Sequence, residues 1–169
     1  MKIVKDNEGR PWQIAISAAS AMRVEEAVKV TVHREVEKPD GAKVVETMTV
    51  PFAIADISKI AETLTILRSG YLSTAATLWA IVQPQAVEKG ITRDQFLEAL
   101  TGDSLQAMSA ALVDELFEFF PPGQRPMLRT LKEKLDDVAD SLIRTAEKRL
   151  EELDTKTAAQ VFTAAPATT

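Results

Sequence analysis

The hydrophobic pattern of this chain changes period for good near residue 52, and that change limits the fold more than any other feature. Before it, alternating runs flank one short helix; after it, apolar residues recur every three or four residues almost to the end. Trp12, Ile14 and Ile16 alternate with Gln13 and Ala15 behind Pro11, the period of a half-buried strand. The turn-forming Asp6-Asn7-Glu8-Gly9 ahead of it predicts a short strand through Ile3 and Val4, folded back as a hairpin. Ser17 or Ser20 then caps a short helix reaching about Val28. From Lys29 the period returns to two, with Val30, Val32, Arg34 and Val36 on one face and Thr31, His33 and Glu35 on the other. Lys43 to Val50 alternates in the same way beyond the loop Lys38-Pro39-Asp40-Gly41, so these two strands are expected to pair antiparallel. Pro51, lacking an amide hydrogen, ends the ladder.

The helical part begins after Asp56. Ile57, Ile60, Ala61, Leu64 and Leu67 mark one helix, which stops at Ser69-Gly70, where a left-handed glycine cap is expected. Tyr71 to about Lys89 forms the next, with Leu72, Ala75, Ala76, Trp79 and Val82 or Ile81 expected inward and Pro84 expected to break or kink it. Thr92-Arg93-Asp94-Gln95 is a capping box, in which threonine oxygen and glutamine side chain each serve the other's free amide; a short helix through Leu100 follows. Gly102 closes that helix and Asp103 caps another, on which Leu105, Met108, Leu112, Leu116 and Phe119 or Phe120 recur at helical spacing until Pro121-Pro122-Gly123 stops it. Pro126 opens the last helix, about Met127 to Leu153. Its stripe runs Leu128, Leu131, Leu135, Val138 and Leu142, then slips to Ile143, Ala146, Leu150 and Leu153. Such a stripe packs on its own domain or makes a homo-oligomer contact. The pattern predicts an α+β fold, a small N-terminal antiparallel β-sheet followed by a mainly helical bundle of about five helices. One domain over residues 1–153 is expected, strand-rich over 1–52 and helical over 53–153, with 154–169 a disordered tail rich in alanine and threonine.

Little in this sequence equips it for catalysis. It has no cysteine, which removes disulfides, thiolate metal sites and cysteine nucleophiles, and its one histidine, His33, falls on the solvent-facing side of a strand. Gly102-Asp103-Ser104-Leu105 spells the block of the GDSL hydrolases, but a serine nucleophile needs a base, and no histidine follows residue 33; helix caps account for the tetrapeptide. Asp136, Asp137 and Asp140 offer oxygens that hard cations like, yet Lys132, Lys134 and Arg144 sit at ion-pairing distance along the same helix. No phosphate-binding glycine loop occurs. No metal, cofactor or catalytic site is therefore expected. A net charge of -5 argues against a grip on nucleic acid; the amino terminus MKIVKDNEGR lacks a signal-peptide apolar region and the longest apolar stretch, Leu72 to Val82, is too short to span a bilayer, which points to the cytoplasm. Protein partners are the remaining class. Phe117, Phe119 and Phe120 cannot all point into one core from one helix, so either the next helix wraps this helix end or one ring anchors a partner; with Trp79 they are the candidate partner-binding residues.

Several segments together resemble a known family. These are Asp6-Asn7-Glu8-Gly9-Arg10-Pro11-Trp12-Gln13-Ile14, Tyr71-Leu72-Ser73-Thr74-Ala75-Ala76-Thr77-Leu78-Trp79-Ala80, Gln83-Pro84-Gln85-Ala86, Ile91-Thr92-Arg93-Asp94-Gln95-Phe96 and Leu116-Phe117-Glu118-Phe119-Phe120-Pro121. In this order, over roughly residues 6 to 135, the chain is similar to the tail assembly chaperones of tailed phages and prophages, encoded just before the tape-measure protein. The resemblance implies a nonenzymatic protein that coats the apolar tape-measure protein, keeps it in solution and helps recruit tail-tube subunits. The other role that suits such a chain is a structural virion component, such as a head–tail connector or tail-completion protein.

Overall fold

The computed structural model describes residues 1–38 and 43–163; the side chains of Arg34 and of residues 151–163 are not described. The tip of the second hairpin, Pro39-Asp40-Gly41, and the end of the expected tail, 164–169, lie outside the described residues. The order of elements is β1 (Lys2–Lys5), β2 (Pro11–Ile14), α1 (Ala18–Ala27), β3 (Lys29–Glu37), β4 (Lys43–Pro51), α2 (Ile60–Ser69), α3 (Tyr71–Glu88), α4 (Arg93–Glu98), α5 (Gly102–Phe119) and α6 (Arg125–Thr163). A single 3-10 turn, Ile57–Lys59, leads into α2. This is the α+β architecture, with antiparallel strands first and the main helical body after them.

The strands form two separate two-stranded ribbons. In the first, Val4 lies opposite Trp12 and Lys2 opposite Ile14. The alternation seen in sequence is the burial pattern, since Trp12 and Ile14 are buried while Pro11 and Gln13 face out. In the second ribbon Val30 pairs with Val50, Val32 with Met48 and Val36 with Val44, so the valines share one face. His33 is exposed on the other face, its Nδ1 3.1 Å from Thr47 Oγ1. Phe52 N–H donates to Val28 O at 3.0 Å and closes the base of this ribbon against the end of α1.

Helix starts and stops follow side-chain chemistry. Ser17 is the N-cap of α1 and Ser20 completes the box, so both serines serve one cap. Thr92 and Gln95 form the expected box at α4. Two glycine assignments differ from expectation. Gly70 is not left-handed, with φ −97; glycine is needed there because a Cβ would sit 2.8 Å from Ile66 O. Gly102, at φ +50, lies inside the first turn of α5, whose cap is Thr101 with Ser104, rather than Asp103.

Pro84 neither ends nor breaks α3, which continues to Glu88. A proline inside a helix leaves the carbonyl four residues back without its donor. That carbonyl is Ala80 O, and Arg23 Nε from α1 donates to it at 3.0 Å. On α3 Ile81 and Val82 point inward as the sequence pattern expected, but Leu72 does not. Thr74, Thr77, Leu78, Ile81, Val82 and Ala86 are buried, whereas Leu72 is 88% exposed. Threonine reads as polar, but Thr74 Oγ1 donates to Leu67 O at 3.0 Å and Thr77 Oγ1 to Ser73 O at 2.7 Å, so each hydroxyl is satisfied and its methyl can pack inward.

The chain divides into two compact units, Met1–Leu128 and Arg129–Thr169. The first unit holds the large fully buried side chains, among them Trp12, Phe96, Leu78, Met108, Leu112, Leu116 and Leu128. The second is the continuation of α6, a helix of 39 residues that runs ten residues past the expected end at Leu153, through most of the alanine- and threonine-rich segment.

Candidate partner-binding surface

In the first unit the segment Asp6 to Trp12 is closed on itself by the Asp6 side chain and tied by Arg10 and Asn7 to α4 and the residues that follow it. Asp6 Oδ1 accepts from the backbone N–H groups of Glu8 at 3.0 Å and Arg10 at 2.9 Å; Oδ2 accepts from Arg10 Nε at 2.6 Å and Trp12 Nε1 at 2.8 Å. Burial pushes this carboxyl up, but the hydrogen bonds from Trp12 and Arg10, with the Arg10 charge, outweigh it and hold Asp6 below the usual carboxylate range. Arg10 reaches on to Gln95 O at 3.2 Å, and Asn7 N–H donates to Ala99 O at 3.2 Å. Beneath them Trp12 meets Phe96 edge to face at 5.0 Å, Phe96 meets Trp79 at 5.7 Å, and Lys89 Nζ lies 5.7 Å over the Trp12 ring. Gln85 on α3 holds the outer edge of β2: its Oε1 accepts from Gln13 N–H at 2.9 Å and its Nε2 donates to Gln13 O at 2.7 Å. The Asp6–Trp12 motif is thus committed to the fold.

The same is true of the other groups with chemical potential. Ser104 is buried, and its hydroxyl accepts from Thr101 N–H at 3.2 Å and lies 3.0 Å and 3.2 Å from the carbonyl oxygens of Thr101 and Ala99. A serine so held is a helix cap and is turned away from solvent. Lys132 Nζ pairs with Asp136 at 2.7 Å along α6, the helical ion pair expected from the spacing. Among the described residues no group of three or more His, Cys, Asp or Glu is gathered as a metal site. Every buried side-chain nitrogen and oxygen that is described has a hydrogen-bond partner.

The four candidate aromatics separate. Phe117 and Phe120 are buried, Phe119 is 36% exposed and packs edge to face on Phe120 at 5.7 Å, and Trp79 is half-buried. Two of the four rings are therefore core. Arg125 explains why the Phe120 turn is rigid, since its Nε donates to Phe120 O at 3.0 Å and its Nη2 to Glu118 O at 2.8 Å, covering carbonyls that the end of α5 leaves open.

What Trp79 does join is an outward strip on α3. Leu72, Ala75, Ala76 and Trp79 fall at steps of three, one and three along one helical face, the face expected to point inward. Leu72 is 88% exposed, Tyr71 beside it 72% exposed, and Ala75, Ala76 and Trp79 are half-buried. The alanines make a low floor between Leu72 and the edge of Trp79, whose ring is fixed from below by Phe96. An apolar helix face with small residues in the middle and large ones at its ends can seat the apolar side of a partner helix. Sequence periodicity contained this strip but assigned it to the core, because two buried threonines hid the true inner face. Among the described residues, no helix is long and apolar enough to cross a membrane. Compared with known proteins, the chain matches no family model, no curated protein and no solved structure.

Proposed function

We propose that this protein is a nonenzymatic assembly protein that works by holding another protein, and specifically a tail assembly chaperone of a tailed phage or prophage, binding the apolar tape-measure protein and assisting tail-tube assembly in the host cytoplasm. The observation that supports this reading is the strip of α3 on which Tyr71 and Leu72 are exposed and Ala75, Ala76 and Trp79 half-buried, on a body whose described buried polar side chains are internally satisfied. A long, apolar, helical client offers many amphipathic segments for such a strip, and a shallow seat without deep pockets suits many segments of differing sequence. The strip also lies within the segment Tyr71–Ala80 on which the family resemblance rests.

A structural virion component is the second reading, favoured by the long α6 and the projecting β3–β4 ribbon, elements with the reach to dock neighbouring subunits. Mass spectrometry of purified particles against infected-cell lysate separates the two. A chaperone is abundant in the lysate and missing from particles, whereas recovery of this chain from particles at ring stoichiometry refutes the chaperone reading.

A further inference from the structure

Among its described residues the second unit, Arg129–Thr169, is the continuation of α6, and no other described element of that unit covers an apolar stripe. The stripe is nevertheless there. Leu131 and Leu135 are half-buried, and beyond them Val138 is 57%, Leu142 66% and Leu150 62% exposed. A helix in water draws most of its stability from packing of its amphipathic face, and scattered exposed leucines differ from leucines aligned every three or four residues. We infer that α6 pairs with α6 of a second copy of this chain, burying the stripe in a two-fold helix–helix seam.

Three observations favour a second copy as the occupant. The first is composition, since Leu, Val and Ala at the seam positions are the residue set of helix–helix seams, and the alternating steps from Leu131 to Leu142 are those of knobs-into-holes packing. Steps of four from Leu142 to Ala146 and Leu150 then straighten the supercoil. The second is area. Leu131 to Leu150 spans about 29 Å of helix, and five aliphatic side chains at roughly 100 Å² each give on the order of 500 Å² per chain. The methylene stems of flanking lysines such as Lys132 and Lys134 extend this toward the ~800 Å² a side of a standard stable interface. The third is charge. Residues 129–169 carry seven basic and eight acidic side chains, whereas residues 1–128 carry thirteen and seventeen. Two copies of α6 can therefore approach with little mutual repulsion, while the bodies they carry repel.

The test is sedimentation velocity of the full chain at about 50 µM, well above the micromolar dissociation constant expected of a short seam. Wild type sediments at twice the 18.5 kDa chain mass. The double variant Val138→Glu/Leu142→Glu sediments as a monomer, with dissociation constant raised at least ~100-fold. Trp12 and Trp79 both belong to the first unit, so unchanged tryptophan emission certifies that its body stays folded. Leu142→Ser, a milder change, is read in parallel so that weakening is scored on an intact fold. Lys148→Glu, which lies off the stripe, leaves the dimer in place. A wild-type chain that is monomeric at this concentration overturns the inference, and so does a dimer indifferent to the Val138 and Leu142 changes.

Discussion

Replacing Asp6 with Asn tests the packing argument at its most specific point. The carboxylate is fully covered and accepts four N–H groups, two backbone and two side-chain. Asparagine keeps the shape and one acceptor oxygen, but its NH₂ must face one of the two donor pairs. If it faces Arg10 and Trp12, Arg10 can turn to water because its side chain is 22% exposed, while Trp12 Nε1 is stranded in the core. A buried unsatisfied donor costs ~1–3 kcal/mol and a charge-assisted bond contributes ~1.5–3 kcal/mol, so Asp6→Asn should destabilise by about 2–4 kcal/mol at pH 7. Asp6→Ala, which takes the acceptor from Trp12 Nε1 and from both backbone N–H groups while Arg10 keeps Glu8 at 2.9 Å, should cost about 3–5 kcal/mol. In urea the Asn variant's midpoint should fall by about 1–2 M. The pH dependence follows from the depressed carboxyl. Its stabilisation is complete above the ordinary value of 3.8 and is lost as pH falls through that value and then through the lower folded one. Asparagine has no such titration, so the gap between wild type and variant should narrow from pH 7 toward pH 3. A variant within ~0.5 kcal/mol of wild type at pH 7, or a gap that does not change with pH, would refute the role given to Asp6.

Two further outcomes are open to direct measurement. Arg23→Ala should cost about 1–2 kcal/mol in the wild-type background and clearly less in Pro84→Ala, where the restored amide serves Ala80 O; a denaturation double-mutant cycle should show coupling of about 1 kcal/mol. Phe117→Ala and Phe120→Ala should each destabilise by about 3–5 kcal/mol, whereas Phe119→Ala should cost about 1 kcal/mol or less, and equal losses at all three would contradict the burial assigned to them.

The elements of this fold were legible where one local signal decided them. Period-two runs became β1 to β4, the Thr92–Gln95 box opened α4, and Leu105, Met108, Leu112 and Leu116 went inward together. What was hidden depended on partners distant in sequence. Nothing near Pro84 announces that Arg23, sixty-one residues earlier, will serve the orphaned carbonyl. Nothing in Thr74 announces that Leu67 O will accept its hydroxyl and allow it inside. With the threonines counted as polar, the inner face of α3 rotated onto Leu72, Ala75, Ala76 and Trp79. The candidate site was therefore present in the sequence under the wrong heading, and of the four aromatics singled out, Phe117 and Phe120 proved to be core. The extent of α6 was hidden for a different reason, because a small-residue segment without an apolar stripe reads as tail although alanine sustains a helix.

The central claim is that the outward strip of α3 holds an apolar helical partner. Co-expression with a phage tape-measure protein, the partner assigned by the proposed function, followed by recovery of the soluble complex, tests it most directly when wild type is compared with Leu72→Glu. Leu72 is 88% exposed, so the change should leave the urea midpoint where it was while abolishing recovery of the partner in soluble form. A Leu72→Glu protein that folds normally and still carries the partner into solution as well as wild type would contradict the claim.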